Sequence, residues 1–282
     1  MKPGYQSQSI NINSHGFRGE EFPRDFERTR LILVLGESTT FGWFLNDPEA
    51  YPVQLMQELR HRGLEDVYVV NGGVPSYTST QVYLYLKEIV ESKILKPDLV
   101  LVNVLWNDIC YSSVVNWYPE ILVDRTPPPL MSFLIKKSKL FRYLFLKNPT
   151  APERVDVFNK EPLNEYKKNL KQMIDVCQQH KIPLAFIQPP FDADHLPEAG
   201  LYEFHITYRK PFFINLATRY LKEMVKLASE YNIPVINHRV SFRHLHQYIL
   251  FHDLFHPTPH GNSLIAKDIA DYLQGSMQFG KQ

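Results

Sequence analysis

The chain has 282 residues, 44% of them hydrophobic and 22% charged, which is ample apolar material for a large globular core. Lys and Arg number 31 against 30 Asp and Glu, for a net charge of +1, so nothing in the balance calls for nucleic acid or a strongly acidic partner. No stretch approaches the run of about 18 uncharged apolar residues that a membrane-spanning helix needs, and no apolar segment follows Met1-Lys2-Pro3-Gly4, so the sequence as it stands reads as cytoplasmic.

Residues 1–30 are polar and include the turn-like run Asn13-Ser14-His15-Gly16-Phe17-Arg18-Gly19; they are expected to form a surface-wrapping arm. Leu31-Ile32-Leu33-Val34-Leu35, ended by Gly36, suits a central parallel strand buried on both faces. A helix is expected over 51–62, with Val53, Leu55, Met56 and Leu59 apolar. A second strand follows at Val67-Tyr68-Val69-Val70, closed by Asn71-Gly72-Gly73. Residues 78–92 read as a helix, and Asp98 to Leu105 as a third strand entered through Pro97.

Regularity lapses over 109–160, where prolines gather at Pro127-Pro128-Pro129. A stretch this long reads as an insertion with structure of its own. Residues 163–180 make a helix, and Ile182 to Ile187 a fourth strand. Residues 190–212 are irregular and rich in aromatics, a helix spans 214–231, Ile233 to Ile236 form a fifth strand, and a helix from Gly261 to Leu273 closes the chain.

Strands alternating with helices imply an α/β fold: a three-layer α/β/α sandwich around a five-stranded parallel sheet. The core reads as a single domain over 31–276. In such sheets the reactive site forms beyond the C-terminal strand ends. Functional side chains should therefore stand just after apolar runs. Three polar segments do: Gly36-Glu37-Ser38-Thr39-Thr40-Phe41-Gly42, Asn71-Gly72-Gly73-Val74-Pro75-Ser76, and Trp106-Asn107-Asp108. A fourth, Asp253-Leu254-Phe255-His256-Pro257-Thr258, precedes the last helix.

Taken in order, these four blocks resemble those of the SGNH, or GDSL-type, hydrolases, and the likeness runs from Gly36 to the last helix. The resemblance implies ester cleavage by Ser38 as nucleophile, with His256 as base and Asp253 behind it. It also implies an oxyanion hole from the Ser38 and Ser76 backbone N–H groups and the Asn107 side chain. The chemistry is coherent: a serine hydroxyl needs a base to take its proton, and a carboxylate on the far imidazole nitrogen fixes the tautomer. The chain departs from the family at Glu37, where Asp is usual, at Leu105, where Gly is frequent, and at Ser76, which stands at the position of the oxyanion glycine. Gly73 is the alternative donor. The nucleophile elbow G-x-S-x-G fits less well, since Thr40 replaces its second glycine.

Each residue has a plainer reading. Ser38 could cap a helix, Asn107 could close a turn on its own backbone, and His256 could pack in a turn before Pro257. Asp108 is read as capping the segment after it. The histidines at 238, 244, 246, 252, 256 and 260 match no zinc spacing, so neither metal nor cofactor is expected. Cys110 and Cys177 make no disulfide framework and read as buried thiols.

The stretch 131–148 is basic and amphipathic, which suits an extra helix on the core, an acyl-pocket lid or weak contact with a membrane surface. Phe191, Tyr202, Phe204, Tyr208, Phe212 and Phe213 could line a pocket or simply pack. The expected activity is hydrolysis of an acetyl or short acyl ester of a small molecule, carbohydrate or lipid. Acyl transfer to a sugar hydroxyl by the same triad, or a non-catalytic binding module on the same fold, are the alternatives.

Overall fold

A computed structural model of the chain describes residues 1–23, 29–114, 157–190, 209–242 and 247–276. Most of the expected insertion, the basic stretch 131–148, the aromatics at 191, 202, 204 and 208, and the histidines at 244 and 246 lie outside the described residues.

In chain order the elements are β1 (Arg30–Gly36), α1 (Ser38–Phe41), α2 (Tyr51–His61), β2 (Val67–Gly73), α3 (Ser79–Glu91), β3 (Leu99–Asn103) and α4 (Trp106–Ile109). They continue with α5 (Lys160–Gln179), β4 (Leu184–Ile187), α6 (Lys210–Glu230), β5 (Val235–Ile236), α7 (Arg239–Phe242), α8 (Gln247–Leu250) and α9 (Pro259–Ser276). The five strands form one parallel sheet in the order β2-β1-β3-β4-β5, the doubly wound arrangement expected from the alternating pattern.

The unbroken apolar run of β1 reflects burial on both sides. Leu31, Leu33 and Leu35 face one core with Val82 and Leu86 of α3, Leu170 and Met173 of α5, and Tyr220 and Met224 of α6. Ile32 and Val34 face the other core with Leu55 and Leu59 of α2 and Ile265 and Ile269 of α9. Successive side chains on a strand point to opposite faces, so this split gives the three layers directly. Phe213 belongs to the first core and stacks against Trp106 at 6.3 Å between ring centroids, so this aromatic serves packing.

The arm before β1 is more than a surface wrap. Phe17 enters the first core, and Arg18 is buried to 4% exposure. The Arg18 guanidinium donates to the carbonyls of Phe41 and Gly42 at 2.7 Å each and of Leu45 at 2.6 Å, and it pairs with Asp47 at 2.7 Å. It also lies over the Phe41 ring at 4.5 Å. A planar fork with several donors can satisfy all these oxygens together, which a lysine could not. The residue thus ties the arm to the turn that leaves α1.

Removing one partner of a buried ion pair typically costs ~3–5 kcal/mol. Arg18→Met should lower the unfolding free energy by about that amount in urea melts at neutral pH. Arg30→Ala, which breaks a partly exposed pair with Asp66, should cost no more than ~1 kcal/mol.

Candidate active site

The site is built where three strands end level. Gly36 of β1 pairs with Gly73 of β2 on one side and Asn103 of β3 on the other. A side chain on Gly36 would collide with the Thr40 hydroxyl and the Asn103 carbonyl, and one on Gly73 would collide with the Phe41 backbone. Both positions lack Cβ because α1 folds back directly onto the sheet edge, which holds its first residue, Ser38, just beyond β1. Gly42, in the left-handed conformation at φ 87°, closes this single turn.

The helix N-cap is Glu37, so Ser38 is the first residue of the turn and does not cap it. Its hydroxyl instead lies 2.8 Å from His256 Nε2. His256 Nδ1 lies 2.6 Å from Asp253 Oδ2. The Asp253 side chain fixes its own loop as well, since Oδ1 accepts the N–H groups of Phe255 at 2.8 Å and of His256 at 2.9 Å. A backbone bond from His252 N–H to the His256 carbonyl at 2.8 Å and a bridge between Phe251 and Pro257 close the loop. Burial pushes the Asp253 carboxyl up, but the hydrogen bond to His256, its charge and the two N–H donors outweigh that and hold it below the ordinary value. An ionised Asp253 favours the tautomer with its proton on Nδ1, in which Nε2 can accept a hydrogen bond from the Ser38 hydroxyl.

Ser76 sits at the end of β2's loop with φ 67°, the left-handed region that favours glycine. The conformation is thus adopted by a serine at an added backbone cost of roughly 1–2 kcal/mol. Its N–H has no partner among the described residues. The Gly73 N–H, by contrast, is engaged with Asn71 Oδ1 at 3.0 Å, which leaves Ser76 as the available donor after β2. Asn107 begins beyond β3. Its side-chain amide donates to the Tyr77 carbonyl at 2.8 Å, next to Ser76, and one amide hydrogen remains for a ligand.

Glu37 is the site residue whose part the sequence did not disclose. It is 1% exposed, and its carboxylate gathers the whole entrance of α4: Oε1 accepts Leu105 N–H at 3.1 Å and Trp106 N–H at 2.8 Å, and Oε2 accepts Asn107 N–H at 2.9 Å. The residue beside Ser38 thereby sets the position of Asn107. Leu105, at the family's frequent glycine, has φ −168°, so no left-handed conformation is demanded there. Burial pushes the Glu37 carboxyl up to about 8 against the pull of the three N–H groups. Asp108, also buried, is pushed up to about 7. Contrary to expectation, it does not cap the segment on its C-terminal side. It accepts Ser79 N–H at 2.8 Å and Ser79 O–H at 2.5 Å at the start of α3, because the β2 loop brings that helix terminus back against α4.

Of the remaining histidines, His238 pairs with Asp268 at 2.9 Å. Among the described residues no three His, Cys, Asp or Glu side chains gather as a metal site would require, and no helix is long and apolar enough to cross a membrane.

A carboxyl whose folded value is raised resists ionisation, so its contribution to stability is largest below its unfolded value and falls as pH rises towards the folded one. The wild-type unfolding free energy should therefore decline between about pH 5 and pH 8, and the decline should be smaller in Glu37→Gln. The same variant turns an amide NH₂ towards backbone donors, and kcat should fall by about one to two orders of magnitude as Asn107 shifts.

A family model for the GDSL-like lipase/acylhydrolases matches residues 32–269. No protein of curated function matches the chain by sequence. Among solved structures, the lipase/acylhydrolase from Enterococcus faecalis is similar with a TM-score of 0.56 and 18% identity, over 90% of this chain and 100% of that one. LAE5, an alpha/beta hydrolase enzyme from the metagenome of Lake Arreo, gives 0.55 and 16% over 86% and 94%, and the acetyl xylan esterase AlAXEase gives 0.54 and 16% over 86% and 99%. At these identities the structures speak for the fold, while the family match spans both the Ser38 and His256 segments: the chain belongs to the GDSL-like lipase/acylhydrolase family and is a hydrolase acting on ester bonds.

Proposed function

We propose that the protein hydrolyses a carboxyl ester of an acetyl or short acyl group, with Ser38, His256 and Asp253 as its catalytic triad. The observation that carries this reading is the unbroken hydrogen-bonded chain from Asp253 through His256 to Ser38 at the C-terminal edge of the sheet.

Ser38 Oγ attacks the ester carbonyl carbon while His256 Nε2 takes the hydroxyl proton. The charge that develops on the carbonyl oxygen meets the N–H groups of Ser38 and Ser76 and the free amide hydrogen of Asn107. Loss of one such donor typically costs ~2.7–4 kcal/mol of transition-state stabilisation. As the tetrahedral adduct collapses, the C–O bond breaks and His256 returns the proton to the departing alcohol. Water then attacks the acyl-Ser38, with His256 taking its proton, and the acid leaves as Ser38 regains a hydrogen. Asp253 stays ionised throughout and offsets the positive charge on the imidazole.

The partner is thus a small-molecule, carbohydrate or lipid ester. The acetyl xylan esterase among the structures of like fold acts, by its name, on acetyl groups, which is in keeping with a short acyl chain.

A fluorophosphonate probe should label Ser38 in the wild type and should not label Ser38→Ala. Failure to label the folded wild type would contradict an activated nucleophile. In Asp253→Asn the amide no longer holds the productive tautomer, and kcat should fall by about 10⁴-fold with ester concentration at half-maximal rate little altered.

A further inference from the structure

The turn that leaves α1 carries two large apolar side chains outward. Trp43 is 42% exposed and Phe44 64%. Phe44 has φ 69°, a backbone conformation that bulky L-residues resist. Strain of this kind persists where the surroundings hold it, and it clusters at sites of function. Here the surroundings are identifiable. Gly42 is left-handed, Trp43 N–H donates to the Ser38 carbonyl at 3.0 Å, and Leu45 N–H donates to the Gly42 carbonyl at 3.1 Å. Arg18 grips the same turn from inside through the carbonyls of Phe41, Gly42 and Leu45.

The clamped turn presents a specific surface. The Phe44 ring meets the His256 ring edge-on, with centroids 5.6 Å apart and planes at 85°. It also meets His252 at 5.8 Å and Trp43 at 6.0 Å. His252 is exposed, so a polar imidazole borders the apolar surface. Mechanism decides which half of an ester meets this rim. The carbonyl oxygen is directed to Ser38, Ser76 and Asn107. The departing alcohol must receive its proton from His256 Nε2, so it lies against the imidazole that Phe44 flanks.

We propose that Trp43, Phe44 and His252 form the subsite for the alcohol portion of the ester, and that it favours a ring-bearing alcohol whose flat C–H or π face rests on the aromatics. The proposal rests on the triad reading above, since it is His256's role as proton donor that assigns the side. Phe44 is then a specificity-determining residue whose unfavourable backbone conformation is retained because it places the ring beside the imidazole.

The test holds the acyl group at acetyl and varies the alcohol. Wild type, Phe44→Gly and Trp43→Ala would be assayed for kcat/KM on ethyl acetate, benzyl acetate and a monoacetylated methyl xylopyranoside. Glycine accepts the positive φ, so Phe44→Gly removes the ring without adding strain. The ratio of the ring ester to ethyl acetate should exceed one in the wild type and fall about tenfold in Phe44→Gly, the loss expected for one aromatic contact. A fall for the benzyl ester alone assigns an aryl alcohol, and a fall for the xyloside alone assigns a sugar ring. Equal losses on all three esters, or no change in the ratios, would overturn the subsite. Wild type that neither turns over ethyl acetate nor labels at Ser38 would instead remove the triad reading and the subsite with it.

Discussion

The whole site hangs on a steric constraint at the end of β1. Gly36 lies between Gly73 and Asn103 with no room for a side chain, and the single turn of α1 fills that space. Only because the turn packs this closely does Ser38 stand over the sheet edge, within reach of a histidine 218 residues further along the chain. The strand ends also explain why the polar groups of the site come from four separated segments. A parallel sheet brings the loops after β1, β2 and β3 to one edge, and α9 seats the His256 loop against them.

A second constraint arises from the first. Placing Ser38 at this sheet edge leaves backbone N–H groups of the α4 entrance away from water, and each needs an acceptor. Glu37 supplies one carboxyl to three of them, and Asp108 accepts the N–H and the hydroxyl of Ser79 at the start of α3. Burial disfavours the charge on both, and the hydrogen bonds they accept offset part of that cost. The Glu37 carboxyl links stability to the placement of Asn107, which is held from within the core.

Much of this architecture was legible in the residues. The apolar run Leu31 to Leu35 names a strand buried on both faces, and the alternation of such runs with helices implies the five-stranded parallel sheet. Ser38 and Asn107 could be singled out because polar residues just after strands mark the reactive edge of an α/β sheet, and Asp253 and His256 because their block before the last helix completes the resemblance to the GDSL-type hydrolases. Glu37 could not be assigned a part, since a carboxylate that binds backbone N–H groups has no partner motif in sequence. Arg18 was hidden for a related reason: its acceptors are carbonyls, which every residue carries. Phe44 is an ordinary aromatic until its φ and its contact with His256 are known. Asp108 points to a helix start that precedes it by 29 positions, a pairing that only the return of the β2 loop creates.

The central claim is that Ser38, activated by His256 and Asp253, forms a covalent bond to the acyl group. The most direct measurement is peptide mass mapping of acid-quenched protein during turnover of p-nitrophenyl acetate. The account predicts one acetyl group on the peptide that contains Ser38, formed and lost on the timescale of turnover and absent in Ser38→Ala. Product formation with no acyl group on Ser38, or with the group on another residue, would contradict it.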